Sequence, residues 1–343
     1  MNVKPLVSVI IVNHNGKKWL KECLDSIKNQ TVKNIEVLLV DNASVDDSID
    51  YLNKFYPWVK IIKSRQNLGF SGGNNLGYKH SVGKYLLLIN NDTKFGPDFL
   101  KEFLKVFEFS KDVGIAQSKI VLMDKPNILD SCGSYWTDTT FLYYLGNGKK
   151  AEAEIYNTPR KIFSIKGASM LIKRELVECI GLFDSDFWSY YEETDLCHRA
   201  WIAGYESWYW PYATCYHAIG GTSLKFPNSF VQFHNFKNKL LSFLKNFEKE
   251  SLFCYIPVFL LLNVLIGFVW LLQGKFRGAL SLYRAIWWNT INIKSTLEKR
   301  SKIQELRKHS DEDIFTRVKI NPLPIYYLHL LNDKLYLYKD LIK

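Results

Sequence analysis

The sequence predicts an α/β protein: a Rossmann-like, mostly parallel sheet flanked by helices, followed by a C-terminal helical region that is hydrophobic and basic. Three observations carry this. Short apolar runs alternate with segments of helical spacing over the first 90 residues, the pattern of βαβ units. The apolar runs lack period-two alternation, as strands covered on both faces do. Beyond residue 226 the chain turns to long apolar and basic stretches.

Residues 8–12 form a β-branched run and predict the first strand. Residues 19–27 follow with Leu20, Cys23, Leu24 and Ile27 on one helical face. Residues 35–40 predict a second buried strand, and 46–55 a second helix capped by Ser44 or Asp46. Residues 59–62 and 85–89 supply two more strands, with the Gly-rich stretch 69–77 between them. From 114 to 221 the pattern is less regular. There 167–172 reads as a strand, 174–180 as a short helix, 195–203 as a helix stopped by Gly204, and 208–212 as an edge strand. Gly220, Gly221 and Pro227 interrupt the pattern, which divides the chain into a domain over 1–225 and a helical region over 226–343.

The 343 residues carry a net charge of +11, and after Leu272 there are 14 Lys and Arg against 7 Asp and Glu. A basic tail serves nucleic acid or an anionic membrane surface. Residues 252–272 favour the membrane, because they are almost uncharged and a span needs roughly 20 apolar residues. Lys245 and Lys249 on one side and Lys275 and Arg277 on the other leave the orientation open. Residues 280–288 mix aromatics with Arg284, as interfacial helices do. The expected location is the cytoplasmic face of the cell membrane, with the apolar segment spanning or re-entrant. No cleavable signal pattern follows Met1, and six scattered cysteines without Cys-x-x-Cys spacing read as reduced. No motif points to a nucleic-acid partner.

Every strand of the first half ends in polar residues: Asn13-His14-Asn15, Asp41-Asn42, Asn67, and Asn90-Asn91-Asp92. In a parallel sheet these ends converge on the carboxyl edge, where open α/β folds hold ligands. Amides and Asp41 suit the edge of a base, and Asp92 suits a cation bridging a diphosphate. Asn and Asp also cap turns, but four consecutive strand ends exceed that role. The stretch 69–77, with Asn74 inside it, lets backbone approach a ligand at a helix start. The turn after the first strand carries only Gly16, and the absence of G-x-G-x-x-G and of a P-loop argues against a nicotinamide or flavin enzyme. A second cluster, Trp188-Ser-Tyr-Tyr-Glu-Glu-Thr-Asp195, stands at a helix start. One acid to hold a metal and another to take a proton make a metal-assisted group-transfer site. Trp188 and Tyr190 are the rings expected near the acceptor.

Taken in order, residues 9–15, 39–44, 67–70 and 90–92 resemble the family 2 glycosyltransferases with the GT-A fold. Residues 166–172, 181–184, 191–199 and 217–223 resemble their rhamnosyltransferase-like branch, so the resemblance covers 6 to 223. It implies an inverting, metal-dependent transfer of rhamnose or a similar sugar from a dTDP- or UDP-sugar. The implied acceptor is a glycan or lipid-linked glycan in cell-surface polysaccharide synthesis.

Carried over position by position, the resemblance puts Asn13 and Asp41 at the nucleoside, with Asp41 on the imide N–H of uracil or thymine. Asn67, Asn74 and Asn91 join the nucleotide-sugar set. Asp92 closes the DXD-type motif and, with His217, holds Mg²⁺ or Mn²⁺. Glu193 takes the place of the general base in the family's ED motif, with Glu192 and Asp195 beside it on the acceptor side; whether either shares the role is left open by the sequence. Asn90 and Asn91 depart from the usual acids, and Glu193 from the usual Asp. These departures keep a second class open, a catalytically silent nucleotide-sugar- or carbohydrate-binding protein of the same fold.

Overall fold

The computed structural model describes residues 4–218 and 227–340. The chain opens with β1 (Val7–Asn13), α1 (Lys17–Lys28), β2 (Ile35–Asn42), α2 (Ser48–Phe55), β3 (Lys60–Ser64), α3 (Gly69–Lys79) and β4 (Tyr85–Asn90). Strands β3, β2, β1 and β4 lie side by side and parallel. Register sets Asn13 against Asp41 and Val12 against Asn90, which brings the polar ends to one edge. Alternate strand residues enter two separate cores: Ile10, Leu38, Leu86 and Leu88 on one face, Val9, Ile11, Leu39, Leu87 and Ile89 on the other. Burial on both faces is why these runs are continuously apolar.

The next elements are β5 (Thr93–Phe95), α4 (Phe99–Leu104), α5 (Val106–Phe109), β6 (Val113–Leu122), β7 (Leu129–Ser131), β8 (Ser134–Tyr135) and β9 (Tyr143–Tyr144). After them come β10 (Arg160–Lys161), β11 (Ser169–Lys173), α6 (Arg174–Ile180), α7 (Glu192–Ile202) and β12 (Glu206–His217). Strand β11 runs antiparallel between β4 and β6, so the sheet is mixed and mostly parallel. The expected edge strand at 208–212 is instead the interior of β12, which pairs with β6 on one side and with β10 and β5 on the other. A register break between Trp210 and Thr214 lets Pro211 sit in this strand. Helix α7 starts one turn ahead of the expected residue 195, which places Glu192, Glu193 and Asp195 in its first turn.

The helical region comprises α8 (Asn228–Asn246), α9 (Lys249–Leu272), α10 (Phe276–Ile291), α11 (Ile293–Glu305), α12 (Asp311–Val318) and α13 (Ile325–Leu331). Gly220, Gly221, Ser223 and the boundary drawn at 225/226 lie outside the described residues. Phe243, Phe247 and Phe315 close around the buried Trp136, with ring centroids 5.0–5.5 Å from it. Helix α9 is long and apolar enough to cross a membrane by length and composition. Asn263 and Gly267 face inward, whereas Phe253 is 83% and Phe268 58% exposed. All six cysteines are free.

Candidate functional site

The polar strand ends form a connected amide lattice. Asn13 is fully buried; its Oδ1 accepts from Asn91 Nδ2 at 2.7 Å, and its Nδ2 donates to Ser44 Oγ at 3.2 Å. A Cβ at Gly16 would lie 2.1 Å from Asn91 Nδ2, so a side chain there would displace this pair. Asp41 is buried and accepts the Ser44 N–H at 3.3 Å. Asn42 gathers the next loop, donating to Asn67 Oδ1 and Gly69 O and accepting from the Leu68 N–H. Asn74 lies inside α3 and donates to Phe70 O at 2.9 Å. Asn15 and Ala43, just past β1 and β2, have φ of 51° and 60°. Such left-handed backbone clusters at ligand sites.

Pairing of β5 with β12 sets Thr93 opposite His217, which brings the imidazole against Asp92. His217 Nε2 lies 3.4 Å from Asp92 Oδ1, and that oxygen is buried without a hydrogen-bond partner. The other ring nitrogen, Nδ1, is 2.9 Å from Asp130 Oδ2, and Asp130 Oδ1 accepts from Lys166. Burial pushes the Asp130 carboxyl up, but Lys166 and His217 outweigh it and hold it below the usual range. Burial likewise opposes charge on His217, and the two carboxylates overcome it and raise its pKa. A carboxylate that fixes one imidazole nitrogen while the other faces a ligand position is how ligating histidines are oriented. Among the described residues no group of three or more His, Cys, Asp and Glu is arranged to hold a metal. Asp92 and His217 supply two donors, which fits a cation completed by phosphate oxygens and water.

Ahead of α7 the backbone is strained, with φ of 60° at Trp188, 74° at Tyr190 and 69° at Tyr191. Two contacts pin it. Asn238 Nδ2 on α8 reaches the carbonyls of Phe187, Ser189 and Tyr190 at 3.0, 2.8 and 2.6 Å. Trp188 O accepts from the Ser71 N–H at 3.0 Å. Gly69, at φ 69°, permits this approach, since a Cβ there would sit 2.2 Å from Trp188 O. The Trp188 indole packs on Phe230 and His234. Tyr190, Tyr191 and Glu193 line the adjoining cleft of about 400 Å³, together with Asp130 and Lys166.

The three acids of α7 differ sharply. Glu192 and Glu193 each have a buried Oε2 without a hydrogen-bond partner. Burial pushes Glu193 up to about 7, restrained by its own backbone N–H and the Lys166 charge. Burial, and then the charge of Glu193, drives Glu192 well above the carboxylate range. Asp195 is fully buried and engaged by Arg199 at 2.8 Å, Lys245 at 3.3 Å and Asn246 at 3.0 Å. Burial would raise its pKa, but Lys245 and Arg199 hold it below the ordinary value. It is not among the residues lining the cleft.

Asp92 and His217 are thus tied to Lys166 through Asp130, and Asp130 and Lys166, two residues without an assigned role in the sequence, share the cleft with Glu193. Asp130 comes from the irregular stretch after β6, where nothing local marks it. Lys166 falls in a motif stretch, but only the fold shows that it faces two carboxylates. Asn238 is likewise visible only once α8 is packed.

A family model described as Glycosyl transferase family 2 matches residues 8–181, just over half of the chain. The protein y4gI of Sinorhizobium fredii is 27% identical over 229 residues, covering 63% of this chain and 25% of y4gI. The hyaluronan synthase of Pasteurella multocida is 34% identical over 119 residues, covering 34% of this chain and 12% of the synthase. The matched region spans about a quarter or less of these curated relatives. Among solved structures, GalNAc-T7 with UDP, GalNAc and Mn²⁺ superposes with a TM-score of 0.57 at 15% identity, covering 73% of this chain and 50% of that one. The mannosyltransferase PcManGT from Pyrobaculum calidifontis, in complex with GDP-Man and Mn²⁺, superposes at 0.52 and 16% identity, covering 98% and 82%. These likenesses show the fold, an α/β GT-A arrangement with a C-terminal helical region.

Proposed function

Because the chain belongs to glycosyl transferase family 2, we propose that it moves a sugar from a nucleoside diphosphate to a hydroxyl of a glycan or lipid-linked glycan, with inversion. The observation that carries this is Asp92 Oδ1, buried without a hydrogen-bond partner and facing an imidazole nitrogen that Asp130 orients. A donor pair of this kind suits Mg²⁺ or Mn²⁺, and Mn²⁺ accompanies the nucleotides bound to GalNAc-T7 and PcManGT. When bound, the cation neutralises charge on the leaving diphosphate.

The chain's own residues divide the remaining work. Asp41 and Asn13 meet the base and ribose side, and Asn91 orients Asn13. Asn67, in the Asn42-centred loop, shapes the sugar side of the donor pocket, and Asn74 holds the first turn of α3 beneath it. Glu193 accepts the proton of the acceptor hydroxyl. The hydroxyl oxygen bonds to the anomeric carbon as the bond from that carbon to the diphosphate oxygen breaks, and the nucleoside diphosphate departs. Glu192 does not line the cleft, and burial, then the charge of Glu193, raises its pKa well above the carboxylate range, which favours Glu193 for this proton. Asp195 anchors α7 through Arg199 and Lys245, and Tyr190 lines the acceptor side. Trp188 links that side to the donor loop through Ser71.

The rhamnosyltransferase-like motifs make dTDP-rhamnose the first donor to try, beside UDP-sugars and GDP-mannose. The exposed apolar face of α9 and the flanking basic residues support attachment to the cytoplasmic face of a membrane, where a lipid-linked acceptor is confined with the enzyme. The test is Mn²⁺-dependent release of nucleoside diphosphate across that donor panel, with the Mn²⁺ dependence lost in Asp92→Ala and the rate cut by roughly 10²–10⁴-fold in Glu193→Gln. Donor binding without release across the whole panel would favour the silent binding protein, a reading supported by the amides at positions 90 and 91.

A further inference from the structure

We propose that the end of the chain, residues 323–340, forms a wall of the acceptor subsite, latched by Asp340, and that this wall recognises the hydroxyls of a sugar ring through Asp333. The inference rests on the glycosyltransfer reading above and assigns its acceptor side. The cleft that holds Glu193 and Lys166 is also lined by Leu330, Asp333 and Leu335. These three residues lie about 140 positions downstream of the α7 acids, and no catalytic-domain motif includes them.

The wall is built, not draped. Asp340 Oδ1 accepts from Tyr143 OH at 2.5 Å, and Oδ2 accepts from Tyr156 OH at 2.7 Å and from the Gly146 N–H at 3.1 Å. Tyr326 OH donates to Leu142 O at 3.0 Å and accepts the Tyr144 N–H at 2.8 Å. Lys149 Nζ donates to Tyr336 O at 2.8 Å. The rings of Tyr143, Tyr326 and Tyr338 pack together with centroids 4.9–6.2 Å apart. Gly148 permits the closest approach, since a Cβ there would meet Tyr336 Cβ at 2.6 Å. The segment is therefore clamped onto residues 142–156, which supply Leu142, Tyr144 and Asn147 to the same cleft.

The chemistry of this lining suits a carbohydrate. Tyr144 and Leu335 offer apolar surface for the C–H face of a ring, while Asp333 and Asn147 offer acceptors and donors for its hydroxyls. Asp333 itself sits at φ 54°, backbone that Asp, Asn and Gly tolerate best. Glycine therefore removes its carboxylate without imposing strain. Asp340 acts at one remove, as a positioning residue for Asp333 and Leu335.

The experiment uses the full chain, as wild type, Asp333→Gly and Asp340→Asn. Nucleoside diphosphate release is measured without acceptor and with a panel of methyl hexosides and methyl rhamnosides as acceptor probes. For the glycoside that accelerates release in the wild type, both variants should raise its apparent KM about tenfold, the loss of one hydrogen bond to a charged group. Acceptor-free release and donor KM should stay within about twofold, which a general loss of folding would not allow. An unchanged glycoside KM in Asp333→Gly, which does not depend on the latch, overturns the proposal. So does a wild type that hydrolyses donor yet responds to no sugar in the panel. A wild type that releases no diphosphate from any donor overturns the glycosyltransfer reading instead.

Discussion

His217 Nδ1 meets Asp130 Oδ2 at 2.9 Å, which leaves Nε2 turned toward Asp92. Asp130→Asn weakens this support while keeping the shape of the site. It is expected to lower Mn²⁺ affinity in UDP binding by roughly 10–100-fold, the usual cost of losing an outer-shell partner. Calorimetric titration of Mn²⁺ into the protein–UDP mixture measures it, and an unchanged affinity would exclude Asp130 from that role.

Asp92 and Asn91 are adjacent but should fail differently. Asp92→Ala removes the orphaned oxygen, so Mn²⁺ should no longer strengthen UDP binding at all. Asn91→Ala leaves that oxygen in place and instead removes the donor to Asn13 Oδ1, leaving Asn13 with its bond to Ser44. Its binding of UDP should weaken about five- to tenfold with or without Mn²⁺, as expected for one buried hydrogen bond. Identical Mn²⁺ responses from the two variants would refute the division of labour.

Glu193, raised to about 7, should make the transfer rate climb with pH through that value, because the base must be ionised. The linkage to stability has the opposite sense. The folded carboxyl binds its proton more tightly than an unfolded one near 4.5, so its stabilising contribution is complete below about 4.5 and is lost as pH rises through about 7. Glu193→Gln should cut transfer by roughly 10²–10⁴-fold yet melt no lower than wild type at pH 8. A lower melting temperature at that pH would mean the carboxylate has a structural partner.

The clamp from Asn238 is expected to set both stability and rate. Asn238→Ala releases carbonyls that hold three left-handed residues, each costing on the order of 1–3 kcal/mol when imposed. Urea denaturation should show a loss of about 1–3 kcal/mol, and kcat should fall more than donor KM rises. Wild-type kcat in this variant would show that the strained loop holds itself.

Attachment through α9 predicts that Phe253→Glu and Phe268→Glu each reduce flotation with vesicles of anionic phospholipid. Each substitution removes roughly 1.5–3 kcal/mol of apolar burial, about tenfold or more in partitioning. High salt should weaken binding further if basic residues contribute. Undiminished flotation of the double variant would separate α9 from any membrane contact.

Much of this molecule was legible in its sequence because the determinants are local. Continuous apolar runs, helical spacing and polar strand ends each depend on neighbours within a few residues, so the βαβ order and the Asn90-Asn91-Asp92 edge could be read directly. The first turn of α7 is hard to see in the sequence because Glu192, Glu193 and Asp195 precede its apolar residues from Leu196 onward. In sequence Trp208–Tyr212 looks like an edge strand, whereas the structure pairs it on both sides and accommodates Pro211 at a register shift.

What only the tertiary structure decided is the chemistry of residues that look alike in the chain. Glu192, Glu193 and Asp195 lie within one helical turn, yet burial raises the first well above the carboxylate range and the second to about 7, while the third is held below its ordinary value. That sorting comes from burial and from Lys166, Arg199 and Lys245, two of which arrive from other elements. The same holds for Asp130 and the 323–340 wall. Electrostatic and hydrogen-bond energies depend on distance and burial in space, and those are set only when residues far apart in sequence are packed together.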